Sequence, residues 1–170
     1  RDETALIPFP AYELFEEELG SFDLVIFQNF NYGPFQTRQY LPNIAQYVRE
    51  GGGFLMVGGP KSFTSGGYYG TPITSILPIE LLAGMGEGTL IDEAAFPPQL
   101  TRMGRHHPIT RLAMDPQVSA ERWRSIEALE GLNLSAGAHA DAVVLLEHPT
   151  LKVGRSAEAA PAPGLAGFTP

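Results

Sequence analysis

Between Gly58 and Gly70 the chain reads GGPKSFTSGGYYG, directly after the apolar run FLMV. Gly58, Gly59, Gly66 and Gly67 surround Lys61, Ser62, Thr64 and Ser65, and two chemistries are open to such a set. Glycines reach positive φ and let main-chain N–H groups approach an anion, with Lys61 adding charge and the hydroxyls adding donors. Alternatively, Ser62 or Ser65 could attack a carbonyl if a base were oriented against it. The spacing matches neither the phosphate-loop pattern nor GxGxxG. It also misses GxSxG, because Pro60 and Thr64 stand where that elbow has glycines around Ser62. A long loop whose glycines serve its own turns is the plainer reading.

The base that such a serine would need is His148, which follows AVVLLE and would stand at the carboxyl end of a strand. A structural histidine at a strand end is the competing role. His106 and His107 are adjacent, so their side chains diverge, and shared ligation of one metal is not expected. His139 sits in a Gly/Ala loop. With no cysteine in the chain, a thiolate nucleophile, a disulfide and a cysteine metal site are excluded. Neither a metal nor a cofactor is expected. In QNFNYGPF, Phe30, Tyr32 and Phe35 either cap the end of a sheet or wall a pocket in which Asn29 fixes a ligand. An exposed aromatic cluster there would also suit a protein contact.

These groups need elements to hold them. Ala11, Leu14, Phe15 and Leu19 recur with helical spacing among glutamates, which predicts a helix from Pro10 to Leu19 that Gly20 stops. DLVIFQ (Asp23–Gln28) and the run from Gly53 to Gly58 are apolar without alternation, as in strands buried on both faces. Between them Thr37 to Glu50 has the apolar face Leu41, Ile44, Ala45 and Val48, with Pro42 in the first turns and Gly51 as C′ residue. Strand, helix and strand with short connections predict a βαβ unit on a parallel sheet. The glycine loop and the Asn29–Phe35 loop both follow strand ends, so they should meet on the ligand side of that sheet.

Further along, Thr71 to Leu77 reads as a short helix, Leu77 to Gly104 as one or two strands, and HPITRL and Ser119 to Arg124 as helical turns. AVVLL (Ala142–Leu146) is expected to be a third buried strand. Residues 1–153 then form one α/β domain, and 154–170 form a flexible Ala/Pro/Gly-rich tail. A sheet of three or four strands is thin, and a strand preceding Arg1 or supplied by a partner would complete it. With 170 residues, 44% hydrophobic content and a net charge of −8, the composition is that of a globular domain. The scattered basic residues weigh against nucleic acid and against direct contact with an anionic membrane.

FDLVIFQNFNYGPF, YVREGGGFLMVGGPKSFTSGGYYGTPITSILPIEL, HHPITRL and GAHADAVVLLEHP together resemble a group of bacterial glutamine amidotransferase proteins. Members are usually domains of larger, often membrane-anchored chains that can also carry von Willebrand A-type segments. The resemblance spans residues 5 to 150. It implies a class I glutamine amidotransferase-like fold, a flavodoxin-like three-layer α/β/α sandwich with a mainly parallel sheet, here truncated at one or both ends. Working members use a cysteine at the elbow after a strand, and a histidine and glutamate in a His-Pro-Glu element. This chain has Pro60 and Lys61 after the strand, and Thr150 after His148 and Pro149.

The resemblance therefore implies a catalytically inactive domain, a ligand-binding or protein-interaction module of a larger assembly. The alternative is a serine-dependent hydrolase or amidotransferase using Ser62 or Ser65 with His148. Gly58, Gly59, Lys61, Ser62, Ser65, Asn29 and Tyr32 are the candidate ligand contacts. A small anion or metabolite, a protein partner, or self-association through an exposed sheet edge are the expected partners. The segment is expected to be cytoplasmic, or tethered to a bacterial membrane through parts outside these residues.

Overall fold

The computed structural model describes residues 9–33, 36–84 and 90–151. Strand β1 (Leu24–Gln28), helix α1 (Leu41–Arg49) and strand β2 (Gly53–Val57) form the expected unit. The two strands are parallel, with Val25 opposite Phe54 and Phe27 opposite Met56. A 3-10 turn (Thr37–Tyr40) leads into α1, Pro42 sits in its first turn, and Gly51 at φ +107° ends it. That φ is costly for any side chain, which is why a glycine stands there. Leu41, Ile44 and Ala45 are fully buried against the sheet side of the core.

The sheet departs from expectation in one respect. Val25, Phe27, Phe54 and Met56 face the core, whereas Leu24, Ile26, Leu55 and Val57 on the opposite face are exposed. An apolar run does not itself reveal whether a second layer is present to cover its other face.

The acidic segment is not one α-helix. Its chain widens into a π-helix (Glu13–Glu17), closed by Glu18 N–H donating to the Glu13 carbonyl at 2.9 Å, and then tightens into a 3-10 turn (Leu19–Ser21). Gly20 lies inside that turn rather than ending the helix. The predicted stripe still faces inward, with Ala11, Phe15 and Leu19 buried. Pro72–Ile76 is a 3-10 helix where a short helix was expected, and the helical turn expected in HPITRL is the 3-10 turn Pro108–Thr110.

The remaining strands are β3 (Ile79–Glu80), β4 (Ile91–Phe96), β5 (Gln99–Leu100), β6 (Leu129–Asn133), β7 (Gly137–Ala138) and β8 (Leu146–Glu147). They pair two by two and antiparallel: β3 with β7, β4 with β6, and β5 with β8. The described residues thus form a mixed α/β structure of small two-stranded sheets, with β1–β2 its parallel pair. The extended buried strand expected over Ala142–Leu146 is reduced to β8. Val143 and Val144 are exposed, because Thr101 holds that stretch from the side: its N–H donates to the Leu145 carbonyl at 3.1 Å and its hydroxyl to the Val144 carbonyl at 2.6 Å.

Helix α2 (Pro116–Arg124) begins earlier than the expected turn. Asp115 caps it, accepting from Gln117 N–H at 2.7 Å and Val118 N–H at 3.1 Å. The core lies in the first half of the chain. Phe27 is at its centre, with ring centroids 4.6 Å from Phe30, 5.2 Å from Phe54 and 6.2 Å from Tyr68. Beyond Leu81, Phe96 is the buried hydrophobic residue among the described ones. Residues 154–170, the expected tail, and Phe35 fall outside the described residues.

Candidate functional site

The loops that leave β1 and β2 meet, as their strand-end positions require. Tyr32 donates its phenol to the Gly67 carbonyl at 2.8 Å, and Tyr68 donates to the Phe30 carbonyl at 2.8 Å. The two rings stack edge-on with centroids 5.0 Å apart. Burial, and secondarily the neighbouring Tyr32, pushes the Tyr68 phenol well above the ordinary tyrosine range. Asn29, in the left-handed region at φ 47°, accepts from Lys61 N–H at 2.7 Å. A Cβ on Gly59 would lie 2.8 Å from the Asn29 Oδ1, so only glycine fits beneath this contact. Asn29 and Tyr32 are therefore latches between the two loops.

The glycine loop is closed on itself. Gly59 N–H donates to Asn133 Oδ1 at 2.7 Å and Ser62 N–H to the Gly59 carbonyl at 3.1 Å. Phe63 N–H points to the Met56 sulfur at 3.4 Å. Pro60 has no N–H, so from Gly59 to Phe63 every main-chain donor is engaged within the protein. Gly66 N–H and Gly67 N–H are likewise bonded, to the carbonyls of Ser62 and Thr64 at 2.9 Å each. The N–H groups that an anion would require are thus largely engaged by acceptors of the protein itself, Asn29, Asn133 and Met56 outside the loop and carbonyls within it.

The hydroxyls are engaged as well. Ser62 is 1% exposed and donates to the Val57 carbonyl at 2.6 Å. Thr64 donates to the Leu82 carbonyl at 2.7 Å, and Ser65 accepts from Leu90 N–H at 3.1 Å. Phe63, at φ 51°, carries the strain of the turn in a residue whose side chain packs on the core. His148 lies apart from these serines in its bonding. Its Nδ1 accepts from Leu151 N–H at 2.8 Å and Thr150 N–H at 3.2 Å, and its ring rests on Phe96 with centroids 4.4 Å apart. With Nδ1 facing these main-chain N–H groups, the histidine caps a turn. The other histidines play local parts. His107 Nδ1 accepts from Ile109 N–H at 3.2 Å, and His139 Nδ1 is 3.9 Å from Glu80. Among the described residues no cluster of three or more His, Asp or Glu could hold a metal ion.

A cleft of about 870 Å³ opens between Gly58–Pro60 and the β4–β6 pair. Phe63 and Leu132 supply apolar wall, Glu93 and Glu130 supply its charge, and Asn133 joins its two sides. Lys61, a candidate contact, is not on that wall. The antiparallel pair that carries these groups was not foreseen. LEGLN has neither a run of β-branched residues nor an apolar alternation, and the role of Asn133 depends on a partner 74 residues away. Among the described residues no helix is long and apolar enough to cross a membrane. Comparison of the chain with protein-family models, with curated proteins and with solved structures finds no match.

Proposed function

We propose that this chain is a catalytically silent domain of the class I glutamine amidotransferase type that serves as a binding or interaction module in a larger assembly. In this reading β1–α1–β2 is part of a flavodoxin-like three-layer sandwich. The glycine loop after β2 occupies the place of the nucleophile elbow. The motifs that carry the resemblance support it, as does the meeting of two strand-end loops at one end of the parallel pair.

The observation that carries the silent reading is the state of Ser62. A serine becomes nucleophilic at neutral pH only with an oriented base. Ser62 instead is buried and donates its hydrogen bond to the Val57 carbonyl at the end of β2. The imidazole of His148 accepts from two main-chain N–H groups, which leaves Nδ1 no part in deprotonating a hydroxyl. The carboxylates of Glu93 and Glu130 in the adjoining cleft favour a neutral or cationic occupant over an anion.

Ammonia release from glutamine by the purified chain tests this. The expected result is a rate equal to that of buffer. A rate above buffer that Ser62→Ala or His148→Ala abolishes would instead establish the serine-dependent hydrolase.

A further inference from the structure

Between positions 102 and 124 stand Arg102, Arg105, Arg111, Arg122 and Arg124, spaced singly, against two acids, Asp115 and Glu121. In a chain of net charge −8 this is a local reversal of sign. The stretch includes HHPITRL, which the amidotransferase-like reading leaves without a role. It lines a second pocket of about 480 Å³ that shares no residue with the cleft beside the glycine loop. Arg105, His106 and Arg111 bring charge and donors to its wall, and Leu100 and Met114 bring apolar surface. None of the lining residues is acidic.

The wall is fixed from behind. The buried Thr110 hydroxyl donates to the Gly104 carbonyl, which closes the turn between them. Arg105 and Arg111 directly follow these two anchors, so both side chains leave from one closed base. Helix α2 backs the turn: Trp123 Nε1–H donates to the Thr110 carbonyl at 2.7 Å, Arg122 to the Leu112 carbonyl, and Leu112 N–H to Ser119 Oγ at 3.1 Å. Donors on this held wall are nevertheless unused. Neither the Arg105 nor the Arg111 guanidinium makes a hydrogen bond or ion pair among the described residues, whereas Arg122 is engaged with backbone. Ser119, nine-tenths buried and on the same wall, accepts from Leu112 and donates to no atom among the described residues.

We propose that this pocket binds a small organic anion, a carboxylate carried on an apolar body. Guanidinium forks match the paired oxygens of a carboxylate, and two of them converge here without an acid to neutralise them. Leu100 and Met114, the latter 87% exposed, cover the apolar part of the ligand. An inorganic anion would use the charge and leave that apolar surface in water. The volume suits a small molecule, whose sites span about 300–1,000 Å³. The site is independent of the glycine loop, so ammonia release and ligand binding can fail separately.

The test titrates the full chain with dansylglycine, a carboxylate on a fluorescent aromatic body, with uncharged dansylamide as the control. Dansylglycine emission is expected to rise and shift to the blue, and dansylamide to bind at least about tenfold more weakly. Arg105→Gln combined with Arg111→Gln should weaken dansylglycine binding by roughly tenfold or more. Arg38→Gln, at an exposed arginine outside the pocket, should change it by less than about twofold. Melting curves establish that the variants fold, and Arg111→Gln alone serves if the double variant does not. No saturable binding at about 1 mM dansylglycine, equal binding of dansylamide, or indifference to the two arginine changes overturns the proposal. Displacement by inorganic phosphate as effective as that by unlabelled 4-phenylbutyrate also overturns it, since charge alone would then suffice. So does capture by phosphatidylserine vesicles that the two changes abolish and dansylglycine does not compete, which would give the patch to a membrane.

Discussion

Asn133 and Gly59, 74 residues apart, are joined by two reciprocal hydrogen bonds: Gly59 N–H to Asn133 Oδ1 at 2.7 Å, and Asn133 Nδ2–H to the Gly59 carbonyl at 3.0 Å. A side-chain amide here does what a neighbouring strand would do for Gly59. It ties the β4–β6 pair to the loop that follows β2 and fixes the two sides of the cleft. Asn133→Ala removes both bonds and leaves two main-chain groups unpaired at the half-buried loop. The expected loss is about 1–3 kcal/mol, read as a fall in melting temperature of roughly 2–4 °C per kcal/mol. Asn133→Asp keeps the acceptor and places an oxygen against the Gly59 carbonyl, so it should recover little.

Ser62→Ala strands the Val57 carbonyl, and the expected cost is about 1–2 kcal/mol in denaturant unfolding. Ser62→Cys is the more informative change, since it supplies the thiol that the chain lacks. It should remain without glutaminase activity, because the imidazole of His148 is engaged in capping Thr150 and Leu151. Ammonia release by the cysteine variant would show that a base is in reach after all.

The phenol of Tyr68 is fully buried and has its acidity suppressed chiefly by that burial. The folded chain therefore holds this proton more tightly than the unfolded chain does. Its contribution to stability is complete below the unfolded value of about pH 10 and is lost as pH rises above it. Tyr68→Phe should lower stability by about 1–2 kcal/mol at neutral pH, by removing the buried hydrogen bond to the Phe30 carbonyl. It should also flatten the fall in stability on the alkaline side. Urea midpoints from neutral to strongly alkaline pH measure both effects.

Two glycines should respond in opposite ways to alanine. At Gly66 a Cβ would run into the carbonyl group of Lys61, so the loop would have to open. Gly66→Ala should cost more than about 2 kcal/mol. Gly20, in the turn before β1, has nothing near its Cβ position. Gly20→Ala should be neutral or stabilising by up to about 1 kcal/mol. Parallel thermal melts of the two variants check this.

What could be read from the sequence follows from the range over which each signal acts. The β1–α1–β2 unit was legible because its information is local: two apolar runs, one 3.6-residue stripe, and Gly51 at the turn. The approach of the two loops was legible too, since both leave the same ends of parallel strands. That β1 and β2 form the one parallel pair among the described residues, and that Leu24 and Ile26 are exposed, was not. A run such as LVIF looks alike whether one face or two are covered. The stretch AVVLL has strand-like residues, yet Thr101 diverts its carbonyls, and no pattern within the run records that. Asn133, Glu93 and Glu130 escaped because a polar residue gains a role only from what the fold brings opposite it. The glycine loop looked like a cradle because glycines permit one; that its N–H groups are already engaged depends on Asn29, Asn133 and Met56.

The claim that the elbow position is chemically closed is tested most directly by covalent trapping. The chain is incubated with an electrophilic glutamine analogue that alkylates activated nucleophiles, and its intact mass is measured. The account predicts an unmodified mass under conditions that fully label a working cysteine glutaminase. A stoichiometric adduct mapped to Ser62 or Ser65, and lost in the His148→Ala variant, would contradict it.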